Sequence, residues 1–211
     1  MDLLQEMRVI KRNNKSETFS FDKILNRIKK LGSEAKISLN YSALIMKITN
    51  QLHDNIETYK IDELMAEQCA SLITSHLDYG KLAARLVISN NQKKMPKTFS
   101  KAMMMLAQNE TVHKKKHSLL GENEISFIKT NQNELNKMID TERDYLIDYF
   151  GFKTLERAYL MKLNDKCVET IQYMWMRVSV GIHCHNDKYD NKEKLDKIKE
   201  TYDLMSQKYF T

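Results

Sequence analysis

The sequence predicts a mainly α-helical fold that opens with a small β-hairpin. Three observations lead there. Only 5 Gly and 1 Pro occur among 211 residues, so turn punctuation is sparse and an all-β or barrel fold is disfavoured. Apolar residues recur at one-face helical spacing through most of the chain. Short alternating apolar and polar stretches are confined to Met7–Phe21, where they flank Asn13-Asn14-Lys15 and read as two strands joined by a turn.

The elements follow in order. Asn in the turn tolerates a left-handed backbone. Ile24, Leu25, Ile28 and Leu31 mark a first helix, with Asp22 near its start to favour exposed amides. Leu44, Ile45, Ile48 and Leu52 mark a second, and Thr58 to Asp62 contains a cap for a third that carries Ile61, Leu64, Met65 and Leu72. Leu82, Leu86 and Val87 mark a fourth, running toward Pro96, whose ring disfavours helix in the residue before it. A domain boundary is expected there, giving domains 1–97 and 98–211. Beyond it, helices are expected over 98–108, 123–139, 142–150, 171–183 and 190–209. The last carries a stripe of Leu195, Ile198, Tyr202, Met205 and Tyr209, which needs a partner surface.

The net charge of +6 is uneven: residues 1–97 hold 16 Lys and Arg against 11 Asp and Glu. Such an excess attracts anions without naming a chemistry. The start, Met1 to Glu6, is acidic and lacks a long apolar stretch, and no run approaches the roughly 20 apolar residues of a membrane span. The three cysteines Cys69, Cys167 and Cys184 are odd in number and widely spaced, which points to a reducing compartment. A soluble cytoplasmic protein is expected. His183-Cys184-His185, Asp187 and Cys167 are metal-ligand types without a paired ligand spacing, so no metal site is assigned. Lys114-Lys115-Lys116 reads as a solvated loop, without the interleaved aromatics of a nucleic-acid groove.

Two runs are too long and mixed to arise from periodicity: Tyr149-Phe150-Gly151-Phe152-Lys153-Thr154-Leu155-Glu156-Arg157, and Met176-Arg177-Val178-Ser179-Val180-Gly181-Ile182-His183. They resemble the large subunit of class I ribonucleoside-diphosphate reductases. The first 97 residues resemble that family's ATP-cone. The resemblance is carried by Arg8-Val9-Ile10-Lys11-Arg12, Glu17 through Lys23, Thr58, Asp62, and Ala83 through Asn90. It implies a small β-hairpin on a four-helix bundle, followed by a helical segment that would precede a ten-stranded α/β barrel. That barrel, with the substrate loop and redox cysteines, would lie beyond Thr211. Five departures stand out. Asn14 occupies a usual Gly, and Thr18 stands where animal-like members often have Arg. Leu77 replaces the Pro of a His-Pro-Asp-Tyr turn, and Asn90-Asn91-Gln92-Lys93 replaces Asn-Leu-His-Lys. Thr170-Ile171-Gln172-Tyr173-Met174-Trp175 likewise replaces the more usual Arg-Pro-Gln-His-Met-Leu.

The resemblance also implies a site. No Walker loop or dinucleotide glycine fingerprint is present, so the charge for phosphate must come from side chains. Lys11, Arg12, Lys23 and Lys93 are the basic residues that the family pattern gathers around a triphosphate. Glu17, Thr18, Phe19, Ser20, Phe21 and Asp22 cross from strand into helix, where amides and the helix dipole favour an anion. With Thr58 and Asp62 they are placed about base and sugar, Asp62 as a hydrogen-bonding group and Phe21 as an apolar contact.

The implied ligand is ATP or dATP as allosteric effector, with magnesium as a candidate companion and no intrinsic cofactor. The implied partners are the remainder of the large subunit and the radical-generating small subunit, with self-association expected from the α-helical stripe; neither membrane nor direct nucleic-acid binding is expected. The implied function is the regulatory N-terminal portion of an enzyme that reduces ribonucleotides to deoxyribonucleotides for DNA synthesis, not catalytic alone. No catalytic residue is assigned: Glu156 and Arg157 read as part of a structural joint. The alternative is a stand-alone ATP- or dATP-sensing or interaction protein derived from the reductase.

Overall fold

The computed structural model describes residues 7–110 and 117–209. The readings of Met1 to Glu6 and of Lys114 to Lys116 lie outside the described residues. The chain divides into two compact units. One takes in the chain up to Lys93 together with Ile147–Phe152; the other takes in Lys94–Leu146 and the chain from Lys153 onward. The described residues are mainly helical with two small sheets and no barrel.

In the first unit, β1 (Arg8–Ile10) pairs antiparallel with β2 (Ser16–Thr18), Val9 lying opposite Glu17. The chain reverses at Lys11–Asn14: the Asn14 N–H donates to the Lys11 carbonyl at 2.8 Å, and Asn14 takes φ 61°. Asparagine enters this left-handed region at little cost, so the turn closes without glycine. A third strand, β3 (Ile56–Glu57), joins β1 in parallel and makes the order β2-β1-β3. Its two residues are too short for a periodic signal, and sequence reading missed it.

Four helices pack with this sheet in the same unit. Helix α1 (Phe21–Glu34) starts at Ser20, whose hydroxyl accepts from the Lys23 N–H, with Asp22 in the first turn. Helix α2 (Tyr41–Ile48) starts at Asn40, which accepts from the Ala43 N–H at 3.0 Å, and passes into a 3-10 turn at Thr49–Gln51. Helix α3 (Thr58–Ser71) places the expected cap one residue earlier, at Glu57. Glu57 is extended, at φ −73° and ψ 134°, because it pairs with Ile10, so the helix can begin only after it. Helix α4 (Leu77–Lys94) buries Leu82, Ala83, Ala84, Leu86, Val87 and Ile88. A helix apolar on so many sides belongs at the centre of its unit. At Gly32 a Cβ would come within 2.8 Å of Tyr41 Cζ, and the Tyr41 hydroxyl donates to the Ile37 carbonyl at 2.6 Å. Glycine there lets the Tyr41 ring keep that hydrogen bond.

The second unit is built from α5 (Phe99–Ala107), α6 (Glu122–Thr130), α7 (Gln132–Met138), a 3-10 segment (Thr141–Leu146), α8 (Tyr149–Ala158), the hairpin β4 (Lys162–Leu163) and β5 (Lys166–Cys167), α9 (Ile171–His183) and α10 (Asn191–Ser206). The first turn of α8, to Phe152, groups with the first unit. The single helix expected over 123–139 is broken at Asn131. That side chain donates to the Phe127 carbonyl at 3.0 Å and exchanges hydrogen bonds with Asn191. Such an amide competes with the helical backbone. The helix expected over 142–150 is replaced by the 3-10 segment and the start of α8, because Asp148 accepts from the Gly151 N–H at 2.7 Å and caps a new helix. The β4–β5 hairpin turns on Asn164 and Asp165, both at positive φ (48° and 61°), the signature of a two-residue primed turn.

The core of this unit gathers Phe99, Met103, Leu106, Ile128, Leu135, Tyr173, Met176, Val180, Ile198 and Tyr202. Each such side chain contributes about 1.5–3 kcal/mol of apolar burial. Two polar fixtures run through it. Glu169, wholly buried, takes a guanidinium fork from Arg177 at 2.7 and 3.0 Å and the Met161 N–H at 2.8 Å. The Tyr202 hydroxyl donates to Gln172 Oε1 at 2.7 Å and accepts from the Asp140 N–H at 3.0 Å. The stripe on α10 corrects an expectation. Self-association was expected from it, yet Ile198, Tyr202 and Met205 are buried within this chain, where α10 packs on α9. Of the stripe, Tyr209 stays mostly exposed.

The two prolines replaced from the family pattern share one position. Leu77 and Ile171 are each the first residue of a helix, α4 and α9, where proline fits because the N–H has no helical acceptor. Ile171 is buried, whereas Leu77 is 77% exposed. Leu77→Pro is therefore expected to stabilise the chain by about 0.5 kcal/mol through the unfolded state, measured by urea unfolding; a lowered midpoint would show that the Leu77 N–H or side chain is needed.

Candidate functional site

The first unit holds a cavity of about 330 Å³, within the range of small-molecule pockets. Its floor is apolar: Val9 from β1, Phe19 from the β2–α1 link, Ile24 and Ile28 from α1, and Ile61 and Met65 from α3. Its rim is ionic. Lys11 and Arg12 arrive from the turn after β1, Lys23 and Arg27 from α1, and Lys93 from the end of α4; the carboxylates are Glu17 on β2 and Asp62 on α3. The hairpin, α1, α3 and the end of α4 thus aim side chains at one space.

The charges are arranged in two clusters and a remainder. Glu17 holds Lys11 at 2.8 Å and Lys23 at 2.6 Å. The Lys11 ammonium, then that of Lys23, keep its carboxyl below the usual carboxylate range. Asp62, only 6% exposed, receives a fork from Arg27: Nε to Oδ1 at 2.6 Å and Nη2 to Oδ2 at 2.9 Å. Arg12 Nη2 adds a third bond to Oδ2 at 3.1 Å and also meets Asn90 Oδ1. Asn90 in turn donates to the Tyr59 carbonyl at 3.2 Å. Arg27 is the better anchored of the two, since a planar fork fixes both partners. Lys93 lines the cavity with no ion pair or hydrogen bond among the described residues. Burial, and then the nearby Arg27, push its ammonium down to about 8.

Ten of the residues expected from the sequence line this cavity: Lys11, Arg12, Glu17, Thr18, Phe19, Ser20, Lys23, Thr58, Asp62 and Lys93. Phe21 and Asp22 do not; they form the first turn of α1, Phe21 half-buried and Asp22 exposed. Arg27 and Asn90 went unassigned in the sequence. Both stand one helical turn from an assigned cation, Arg27 four residues after Lys23 and Asn90 three before Lys93, and that spacing on one helix face was the available signal. Asn90 serves Arg12, while the adjacent Asn91 is buried where the family pattern has an apolar residue.

In the second unit, Cys184, His185 and Asp187 line a polar recess with Asn123, Asn131 and Asn191. His183 Nε2 instead pairs with Thr201 Oγ1 at 2.7 Å, and the Cys167 thiol donates to the Glu169 carbonyl at 3.3 Å. Among the described residues no three His, Cys, Asp or Glu side chains are placed to hold a metal. Burial pushes the Cys69 thiol up to about 12 and that of Cys184 to about 11. No described helix is long and apolar enough to cross a membrane.

Comparison with known proteins finds two family models along the chain. The family model for the ATP cone domain matches residues 7–94, and that for the ribonucleotide reductase all-alpha domain matches 145–211. Similar relatives are ribonucleoside-diphosphate reductase large subunits. That of Plasmodium falciparum (isolate Dd2) is 38% identical over 205 residues, 97% of this chain and 24% of that protein. Its counterpart in Caenorhabditis elegans is 40% identical over 205 residues, 96% and 25%, and in Vaccinia virus (strain Copenhagen) 40% over 207 residues, 97% and 26%. The chain spans about a quarter of the length of these relatives. The chain thus carries an ATP cone domain followed by the ribonucleotide reductase all-alpha domain, and along nearly its whole length it is similar to ribonucleoside-diphosphate reductase large subunits.

Proposed function

We propose that the cavity of the first unit binds a nucleoside triphosphate, ATP or dATP, as an allosteric effector. In this reading the chain is the regulatory N-terminal portion of a cytoplasmic ribonucleoside-diphosphate reductase large subunit, with residues 1–97 sensing nucleotide and residues 98–211 leading toward the catalytic machinery. Reduction of ribonucleotides would need the remainder of the large subunit and a radical-generating small subunit. The observation that carries this reading is the convergence of Lys11, Arg12, Lys23, Arg27 and Lys93 on an apolar-floored space, with two carboxylates against five cations. A polyphosphate satisfies the excess charge, and the floor of Val9, Phe19, Ile24 and Ile61 suits a base. Magnesium would accompany the phosphates outside the Glu17 cluster, whose carboxylate is occupied by lysines.

Calorimetric titration of the purified chain with ATP and with dATP tests this. Saturable binding is expected, weakened at least about tenfold by Lys23→Ala with no change in melting temperature, since that ammonium is 65% exposed. A well-folded chain that binds neither nucleotide would reject the proposal.

Asp62→Ala is expected to abolish binding and also to cost about 2–3 kcal/mol of stability, because it leaves the Arg27 and Arg12 guanidiniums without their shared carboxylate. Urea unfolding checks this; an unchanged midpoint would mean that the arginines find other partners.

A further inference from the structure

The five cations of the cavity are not equivalent. Lys11 and Lys23 share Glu17 as ion-pair partner, and Arg12 and Arg27 share Asp62. Lys93 has no such partner among the described residues. Its charged surroundings come from every neighbouring element: Arg27 and Lys30 on α1, Arg12 from the turn after β1, and Asp62 on α3. Lys11, Lys23 and Glu17 complete the cavity, and Lys94 follows on its own helix. Of the two carboxylates, Glu17 is held by Lys11 and Lys23, and Asp62 already accepts three guanidinium bonds. An ammonium at position 93 in the free site therefore faces mostly like charges and makes no hydrogen bond or ion pair among the described residues. A neutral amine relieves the repulsion. An arriving phosphate reverses the balance, since its oxygens supply both the negative charge and the acceptor that position 93 lacks.

We propose that the phosphate end of the effector is taken up together with a proton, and that Lys93 is where the proton lands. The inference rests on the nucleotide reading of the cavity. The Nζ lone pair takes a proton from solvent, and the resulting ammonium donates a hydrogen bond to a phosphate oxygen; no covalent bond forms or breaks. The sign follows from linkage. The free site holds this proton only up to about pH 8, and the ligated site holds it toward the ordinary lysine range near 10.4. Affinity is thus complete below about pH 7 and falls by up to about tenfold per pH unit above 8. The effector signal becomes responsive to alkalinity as well as to nucleotide.

The test is calorimetric titration with ATP at pH 8.5 in two buffers of different ionisation heat, Tris and HEPES. The triphosphate is fully ionised there, so the dependence of the observed heat on the buffer counts protons taken up by the protein. Uptake of about half to one proton is expected for the unaltered chain. Lys93→Arg keeps a cation that does not titrate and is expected to bind with uptake near zero, while the chain's α-amino group, which also titrates near pH 8, stays in place as the internal control. Should Lys93→Arg bind too weakly to measure, the affinity of Lys93→Met for ATP between pH 7 and 9 serves instead, with a flat profile expected. Binding by the unaltered chain without proton uptake, or undiminished uptake in Lys93→Arg, would overturn the inference and leave the nucleotide site standing. Absence of binding at pH 7 would remove both.

Discussion

Asp62 is a carboxylate withdrawn from water on the third helix, and it is tolerable there only because Arg27 approaches with both arms of its guanidinium and Arg12 adds a third bond. That cluster ties together α1, α3 and the turn after β1, and through Asn90 it reaches α4. The apolar cores of these elements decide that the unit is compact. The carboxylate decides the register in which their ends meet, and with it the shape of the cavity. Arg12 is the member with divided loyalties: one nitrogen serves Asp62 and Asn90 together, so it can turn toward an anion while Arg27 keeps the carboxylate neutralised.

Legibility in the sequence followed the length scale of each signal. The long helices repeat their apolar face over several turns, and the ends of α5, α9 and α10 fall within a few residues of expectation. Short features failed. The two residues of β3 carry no period, and the β4–β5 hairpin announces itself only through Asn164-Asp165, a pair that also fits an ordinary loop. Helix breaks at Asn131 and Asp148 came from single side chains that bond to local backbone, which periodicity averages away. In the cavity, Glu17 through Ser20 and Lys23 were legible because chemistry and family pattern coincided there, whereas Phe21 and Asp22, called on the same pattern, do not line it. Arg27 and Asn90 were not, because their importance lies in the partners that the fold brings to them. The α10 stripe was read correctly as needing a partner and wrongly as lacking one, since the sequence does not say that α9 is within reach.

The departures from the family pattern become intelligible at the level of single backbone positions. Asn14 stands in a left-handed turn that asparagine tolerates, and Leu77 and Ile171 begin helices where proline is permitted but not required. Thr170 caps α9 by accepting from the Tyr173 N–H at 3.2 Å, so the run that replaces Arg-Pro supplies its own helix start. These changes leave the charges of the cavity in place, whereas Thr18, which lines it, stands where animal-like members often have Arg. The altered stretch before Lys93 retains Asn90, the residue that Arg12 uses.

The fit between Gly32 and Tyr41 carries an evolutionary corollary. The tyrosine ring lies where any β-carbon at position 32 would have to go, and its hydroxyl is tied to the Ile37 carbonyl, so the ring cannot tilt aside without giving up that bond. The two positions are therefore not free to drift separately. A descendant of this chain that acquires alanine at 32 either swings the Tyr41 ring off the Ile37 carbonyl or carries a smaller residue at 41, so the second substitution becomes favourable once the first is made.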